Sequence, residues 1–319
     1  MDETRTDVLG EPFTAETLIL PDDSEGPVHA TLVHRPAPAP TSRAVLYVHG
    51  FCDYYFQVHV AEFFNELGYD FYALDLRKYG RSLLPHQTPN FCQDLAEYFP
   101  ELDEARRRIA ERDGHERLVV VAHSTGGLIT SLWAHARRAE GARVAETFVL
   151  NSPWLDLHGS MFLRTVGTRA IDEIGARRPY RVIPRSTSSV YVEALHQAQR
   201  GEWQFDMAWK PAASFAVRAG WLRAVRRGHR ALHHGLDVGA PVLVLTSARS
   251  AFTETWTDDV QRSDIILDVE QIARWSHRLG HRVAIARIDG ALHDVYLSQK
   301  DARQEAFELT QRWLEAILR

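Results

Sequence analysis

Residues 119–128, VVVAHSTGGL, constrain the fold more than any other stretch of this 319-residue chain. An apolar run enters His123-Ser124-Thr125-Gly126-Gly127 and leaves as a helical pattern. That is the strand–turn–helix context in which a G-x-S-x-G segment lifts a serine hydroxyl above the end of a sheet. Small residues on either side are needed because strand and helix approach closely there. Gly126 and Gly127 supply one side, while Ala122 stands at the other small position in place of the strict glycine.

A strand feeding a helix in this way predicts a parallel sheet, and the flanking sequence keeps the rhythm. Apolar runs at 44–48, 71–74, 118–122 and 147–150 alternate with helical patterns at 57–67, 101–112 and 128–138. Such short, fully apolar runs suit strands covered on both faces. LIL at 18–20 and VHATLV at 28–33 predict an antiparallel hairpin at the sheet edge. The rhythm stops between about 158 and 238, where helical fragments are broken by glycine and proline. It resumes with PVLVL (241–245), a helix near 268–279, a strand at 282–288 and a C-terminal helix near 301–318. The organisation read from this is a core in two parts, 1–157 and 239–319, with a helical cap inserted at 158–238.

Composition narrows the function. The net charge of −5 offers no excess of cations to neutralise phosphates, so no nucleic-acid partner is expected. The longest apolar runs span about five residues against the ~20 of a membrane helix, so no integral membrane segment is expected. The acidic, polar start MDETRTDVLGEP lacks the pattern of a secretory leader, which points to a cytoplasmic protein. Two cysteines, Cys52 and Cys92, cannot form a disulfide framework or a four-cysteine zinc site. No metal and no organic cofactor is expected.

A lone serine is a poor nucleophile and needs a base held by an acid. The final strand is followed by Asp289-Gly290-Ala291-Leu292-His293-Asp294, so His293 alone of 16 histidines has the topological address of the base. His123 reads as structural, and His233 and His234 as solvated residues of a basic helix. The acid should follow PVLVL, but 246–251 contains no carboxylate. Asp264 is preferred, 29 residues before His293; Asp268 is its main rival, though it suits a helix N-cap, and Asp258, Asp259 and Asp156 fit less well. Oxyanion donors are expected from the backbone N–H groups of Phe51, after His49-Gly50, and Thr125, after the serine.

YVHGF at 47–51, LGYDFYALDLRKYGRS at 67–82, AHSTGG at 122–127 and GALHD at 290–294 together resemble the α/β-hydrolase superfamily. They are most similar to its monoacylglycerol lipase, lysophospholipase and serine-aminopeptidase-like group. Lys78 replaces the first glycine of the Asp-x-Arg-Gly-x-Gly-x-Ser segment of that group. The resemblance spans roughly 44–157 and 240–319. It implies a mostly parallel eight-stranded sheet with helices on both faces and a cap before the last two core strands. It also implies Ser-His-Asp chemistry on a small-molecule ester, lipid-like or another small acyl ester. A serine at the nucleophile position argues against dehalogenase and epoxide hydrolase chemistry, which use aspartate there.

The candidate cap is basic, with 13 Lys/Arg against six Asp/Glu, and aromatic, including Phe162. A helix from about 212 would align Val217, Trp221 and Val225. An apolar underside of this kind makes Trp203, Trp209 and Trp221 candidate substrate contacts, with Trp256 beside the acid loop. The arginines either face an anionic substrate or solvate the outer face; the latter is the commoner arrangement. The leading reading is ester hydrolysis through Ser124, His293 and Asp264. Amide cleavage would need a cap carboxylate for the substrate ammonium, with Glu193, Glu202 or Asp206 available. A third reading is a non-catalytic binding protein on the same scaffold.

Overall fold

The computed structural model describes residues 4–157, 171–184 and 188–318; Phe162 falls outside them. The N-terminal strands are β1 (Thr4–Thr6), β2 (Thr14–Asp23), β3 (Gly26–Arg35) and β4 (Arg43–Val48). Helix α1 (Val58–Glu66) leads to β5 (Asp70–Asp75), and α2 (Phe99–Arg107) to β6 (Arg117–His123). Helix α3 (Thr125–Ala139) then leads to β7 (Thr147–Asn151). Between β7 and β8 lie α4 (Val190–Leu195) and α5 (Ala219–His234). The chain closes with β8 (Val242–Ser247), α6 (Val269–Ser276), β9 (Val283–Ile288) and α7 (Lys300–Ile317).

These strands form one sheet in the order β1-β2-β3-β5-β4-β6-β7-β8-β9. From β5 to β9 all neighbours are parallel, whereas β1, β2 and β3 are joined antiparallel at one edge. Among the described residues the sheet therefore has nine strands rather than the eight expected. The extra one is β1, three polar residues that pair with β2 from Thr4↔Glu16 to Thr6↔Thr14. A polar trimer carries no hydrophobic period, so its pairing is invisible in the sequence.

Alternate residues of the central strands supply two separate cores. Leu46, Val48, Val120 and Ala122 pack with α2, α3 and α5 on one face. Val45, Tyr47, Val119 and Val121 pack with α1 and α7 on the other. Two buried faces explain why these strands read as unbroken apolar runs instead of alternating ones.

The helix expected from about 212 begins only at Ala219. Val217 gives its carbonyl to the Ile183 N–H, and Arg218 bridges Val182, so this stretch is extended before the helix starts. Trp221 and Val225 are buried as the spacing predicts. His233 is a correction: it is half-buried, stacked on Trp275 at 3.5 Å, with Nε2 3.0 Å from the Leu155 carbonyl.

Candidate active site

The turn between β6 and α3 forces Ser124 to φ 52° and ψ −118°, a region disfavoured for any residue with a Cβ. Backbone bonds fix it there: Ser124 N donates to Asn151 O at 2.9 Å, and Trp154 N to Ser124 O at 3.0 Å. The neighbouring glycines are required by close approach. A Cβ on Gly126 would stand 2.3 Å from the His49 carbonyl oxygen, and one on Gly50 would stand 2.9 Å from Ser124 Cβ. The same contacts hold the turn after β4, which bears Phe51, against the serine turn.

His293, beyond β9, comes to Ser124 from a loop clamped by Asp294. The Asp294 carboxylate accepts from Asn151 Nδ2 at 2.6 Å, Gln57 Nε2 at 3.2 Å and Tyr296 N at 3.1 Å. Burial alone would raise the Asp294 pKa; His123, Asn151, Lys210 and Gln57 outweigh it and hold the carboxyl below its usual range. Burial also lowers the His123 pKa, which leaves its ring neutral near pH 7.

His293 Nε2 lies 3.0 Å from Ser124 Oγ, and Nδ1 lies 2.8 Å from Asp264 Oδ2. An ionised carboxylate only accepts, so the neutral imidazole carries its proton on Nδ1 and leaves Nε2 free to accept from the serine. The other carboxylate oxygen, Asp264 Oδ1, accepts from Ile266 N at 2.8 Å and Leu267 N at 2.7 Å. All three side chains are buried.

The long loop before Asp264 closes on itself. Ser250 and Asp264 pair as a parallel bridge; Asp264 N donates to Arg249 O and Ala251 N to Asp264 O, both at 3.0 Å. The segment between β8 and Asp264 is thus looped out, and Asp264 sits as if it followed β8 directly. Its rivals are employed elsewhere. Asp268 caps α6 by accepting from Glu270 N, Asp259 pairs with Arg249, and Asp156 accepts from Trp275 Nε1. Asp258 opens a short 3-10 turn.

Ser124 opens into a cavity of about 260 Å³ whose lining includes Phe51, Thr125, His123 and His293. Trp154, Tyr191, Val192, Ile266 and Leu267 form its apolar walls. None of the four expected tryptophans is among them. Trp203 donates to Leu297 O at 2.8 Å and stacks on His59 outside the cavity. Trp209 packs edge-on to Tyr54, and Trp256 lies under the Arg200 guanidinium. Trp221 is one layer back, its ring 4.1 Å from that of Phe51. Helical spacing identified Trp221 as inward-facing but could not say that Phe51 stands in front of it.

No arginine of the 158–238 segment lines the cavity among the described residues. Arg226 and Arg230 pair with Asp172, Arg227 with Asp94 and Arg200 with Glu193. Two charged groups that sequence reasoning missed do line it, Asp53 and Lys210. Lys210 is one of only three lysines, beside 34 arginines, and that rarity was the one available signal.

Among the described residues no group of three or more His, Cys, Asp or Glu could hold a metal ion. Nor is any described helix long and apolar enough to cross a membrane.

Residues 39–297 match the profile of the family described as Hydrolase_4, serine aminopeptidase S33. No curated protein matches the sequence. Among solved structures, the chain resembles a soluble variant of monoglyceride lipase from Saccharomyces cerevisiae in complex with a substrate analogue. The TM-score is 0.66 at 13% identity, covering 93% of this chain and 94% of that one. It resembles the Paleococcus ferrophilus monoacylglycerol lipase at TM-score 0.63 and 18% identity, covering 89% and 98%. A thermostable carboxyl esterase from Bacillus coagulans in complex with glycerol gives 0.63 at 14% identity, covering 96% and 99%. At these identities the likeness is one of fold.

Proposed function

The chain belongs to the serine aminopeptidase S33 family, and we propose that it is a serine hydrolase of carboxylic esters, working through an acyl-enzyme. The observation that carries this is the continuous relay from Ser124 Oγ to His293 to Asp264, with contacts of 3.0 and 2.8 Å. Ser124 Oγ attacks the ester carbonyl as its proton passes to His293 Nε2. Asp264 keeps the ring oriented and stabilises the imidazolium that forms. The carbonyl oxygen becomes an oxyanion, for which the N–H groups of Phe51 and Thr125 are the assigned donors. Collapse of the tetrahedral adduct expels the alcohol, which takes the proton from His293. A water activated by the same histidine then releases the acid and restores Ser124.

Ester is preferred to amide on electrostatic grounds. An aminopeptidase must hold the substrate ammonium with a carboxylate. Glu193 pairs with Arg200, Glu202 pairs with Arg303, and Asp206 caps Ala208 N. Among the described residues the carboxylate that lines the cavity is Asp53, already matched by Lys210 at 2.7 Å. Residues 158–238 serve as the cap in this reading, since Tyr191, Val192 and Lys210 of that segment line the cavity over Ser124. Residues 1–157 and 239–319 form the hydrolase core beneath it. The remaining substrate is a small acyl or lipid-like ester.

Intact-mass analysis after a fluorophosphonate probe tests the reading. Wild type should gain one adduct and Ser124→Ala none. A folded wild type that stays unlabelled would sink it, in favour of a binding role on the same scaffold.

A further inference from the structure

The turn after β4 is anchored to the core at its two ends. At one end Gly50 packs so tightly on the serine turn that a Cβ on it would stand 2.9 Å from Ser124 Cβ. At the other, Tyr55 N donates to Asp75 Oδ1 of β5 at 2.9 Å. Each of the four residues between them meets the segment that joins β7 to β8. The Phe51 ring lies 4.1 Å from that of Trp221, and Cys52 Sγ accepts from Phe215 N at 3.4 Å. Asp53 Oδ1 accepts from Lys210 Nζ at 2.7 Å, and Tyr54 OH accepts from Asp206 N at 2.6 Å. As the positions rise from 51 to 54, their partners fall from 221 through 215 and 210 to 206. The two stretches therefore run past one another in opposite directions and touch at each of the four positions.

The arc is a strained one. Cys52 stands at φ 52°, in a region that a residue with a Cβ rarely adopts. Such a conformation persists only where the surroundings over-determine the backbone. The Tyr54 ring has a core contact, 5.5 Å from the Arg81 guanidinium, but the side chains of Cys52 and Asp53 bond to Phe215 and Lys210. The other assigned oxyanion donor is held differently. Thr125 opens α3, and its turn is fixed by Ser124 N to Asn151 O at 2.9 Å and Gly127 N to Ser124 O at 3.0 Å. All of those partners belong to residues 1–157. One donor is thus fixed within the core, whereas the other sits on an arc that the 158–238 segment ties down.

We infer that Tyr54 and Lys210 are positioning residues for the oxyanion donor, holding the arc that carries the Phe51 N–H through Asp206 and Asp53. Neither acts on the reacting atoms itself. The inference rests on the ester-hydrolase reading of Ser124, with Phe51 as a donor, and adds a transition-state role for the 158–238 segment to its role as a wall. Displacing that N–H leaves the neutral carbonyl of the bound ester almost unaffected. The oxyanion suffers instead, because the charge the donor must meet develops only in the transition state.

Three variants of the full chain test this: Tyr54→Phe, Lys210→Met and the double variant Asp53→Asn/Lys210→Met. Tyr54→Phe deletes only the hydroxyl that accepts from Asp206 N. The double variant breaks the tie yet leaves no unmatched charge in the cavity. After a thermal melt confirms folding, each is assayed on p-nitrophenyl butyrate, with 1,1,1-trifluorohexan-2-one and hexan-2-one as inhibitors. Ser124 Oγ adds to the carbonyl carbon of the fluorinated ketone, its proton passes to His293 Nε2, and the ketone oxygen is left as an oxyanion with no group expelled. Hexan-2-one binds without that addition and reports on the cavity alone.

In each variant kcat/KM should fall about tenfold, a part of the roughly 10²–10³ that loss of a whole oxyanion donor costs. The inhibition constant of the fluorinated ketone should rise by the same factor, while that of hexan-2-one stays as in wild type. A purely structural tie would weaken both ketones alike or neither. Unchanged kcat/KM in folded Tyr54→Phe and Lys210→Met overturns the proposal, as does an equal weakening of the two ketones. Recovery of wild-type turnover in the double variant overturns it too, by tracing the loss to a stray charge. Should Lys210→Met fail to fold, the nearly isosteric Tyr54→Phe decides it. Absence of fluorophosphonate labelling in wild type would instead overturn the hydrolase reading beneath it.

Discussion

Replacing Asp264 with asparagine separates the electronic role of this residue from its structural one. The replacement amide must choose which end faces His293. Asp264 Oδ1 accepts from the N–H groups of Ile266 and Leu267. Turning the NH₂ toward those donors would leave the buried Leu267 N–H and the part-buried Ile266 N–H unpaired, at about 1–3 kcal/mol for the buried one. The amide oxygen therefore stays with the backbone, and the NH₂ takes the place of Oδ2, 2.8 Å from His293 Nδ1. A donor there requires Nδ1 to accept, which moves the imidazole proton to Nε2. That nitrogen faces Ser124 Oγ at 3.0 Å and can then no longer take its proton.

Imposing the wrong tautomer costs about 10⁴ in kcat where the geometry is otherwise kept, equivalent to roughly 5.5 kcal/mol of barrier. Stability should change little, by about 1 kcal/mol, because both backbone bonds survive. The assay is kcat/KM on a p-nitrophenyl ester, with a thermal melt of the same preparation. A folded Asp264→Asn enzyme within about a hundredfold of wild type would refute the reasoning.

Two further outcomes follow from neighbouring features. Asp268→Ala removes the cap on Glu270 N and should cost about 1 kcal/mol of stability while leaving ester turnover unchanged; a loss of turnover comparable to that of Asp264→Asn would return Asp268 to the role of acid. Burial depresses His59 and His229, each to about 4, from an ordinary 6.5. Between those values the unfolded chain binds protons that the folded chain refuses, so their contribution is complete above pH 6.5 and lost as pH falls through about 4. At about 1.4 kcal/mol per pKa unit this reaches roughly 3–4 kcal/mol for each group. Urea midpoints from pH 7.5 to 4.5 should fall, and less steeply in His59→Gln; equal slopes would contradict the assignment.

Much of the architecture was legible locally, and the residues show why. The apolar runs at 44–48 and 118–122 are strands because both of their faces are covered, and that doubles the signal. Ser124 was legible because its turn demands small neighbours within a few positions. His293 was legible because it follows the last strand. Asp264 was harder: its address depends on the Ser250–Asp264 bridge, which folds the intervening loop out of the way.

The cavity walls followed a different logic. Composition marked tryptophans as the large apolar surfaces, yet Trp203, Trp209 and Trp256 are taken up by contacts to His59, Tyr54 and Arg200. Trp154, Tyr191, Ile266 and Leu267 occupy the wall instead.

Local patterns in this chain determined most of its strands and helices, and which turn presents Ser124. Backbone sterics and hydrophobic period act over a few residues, and a sequence displays them directly. Tertiary structure alone decided that Asp53 meets Lys210 across 157 positions and that Asn151 clamps the loop of His293. Burial and pairing of charge depend on which distant segments share a low-dielectric space, and no local pattern encodes that.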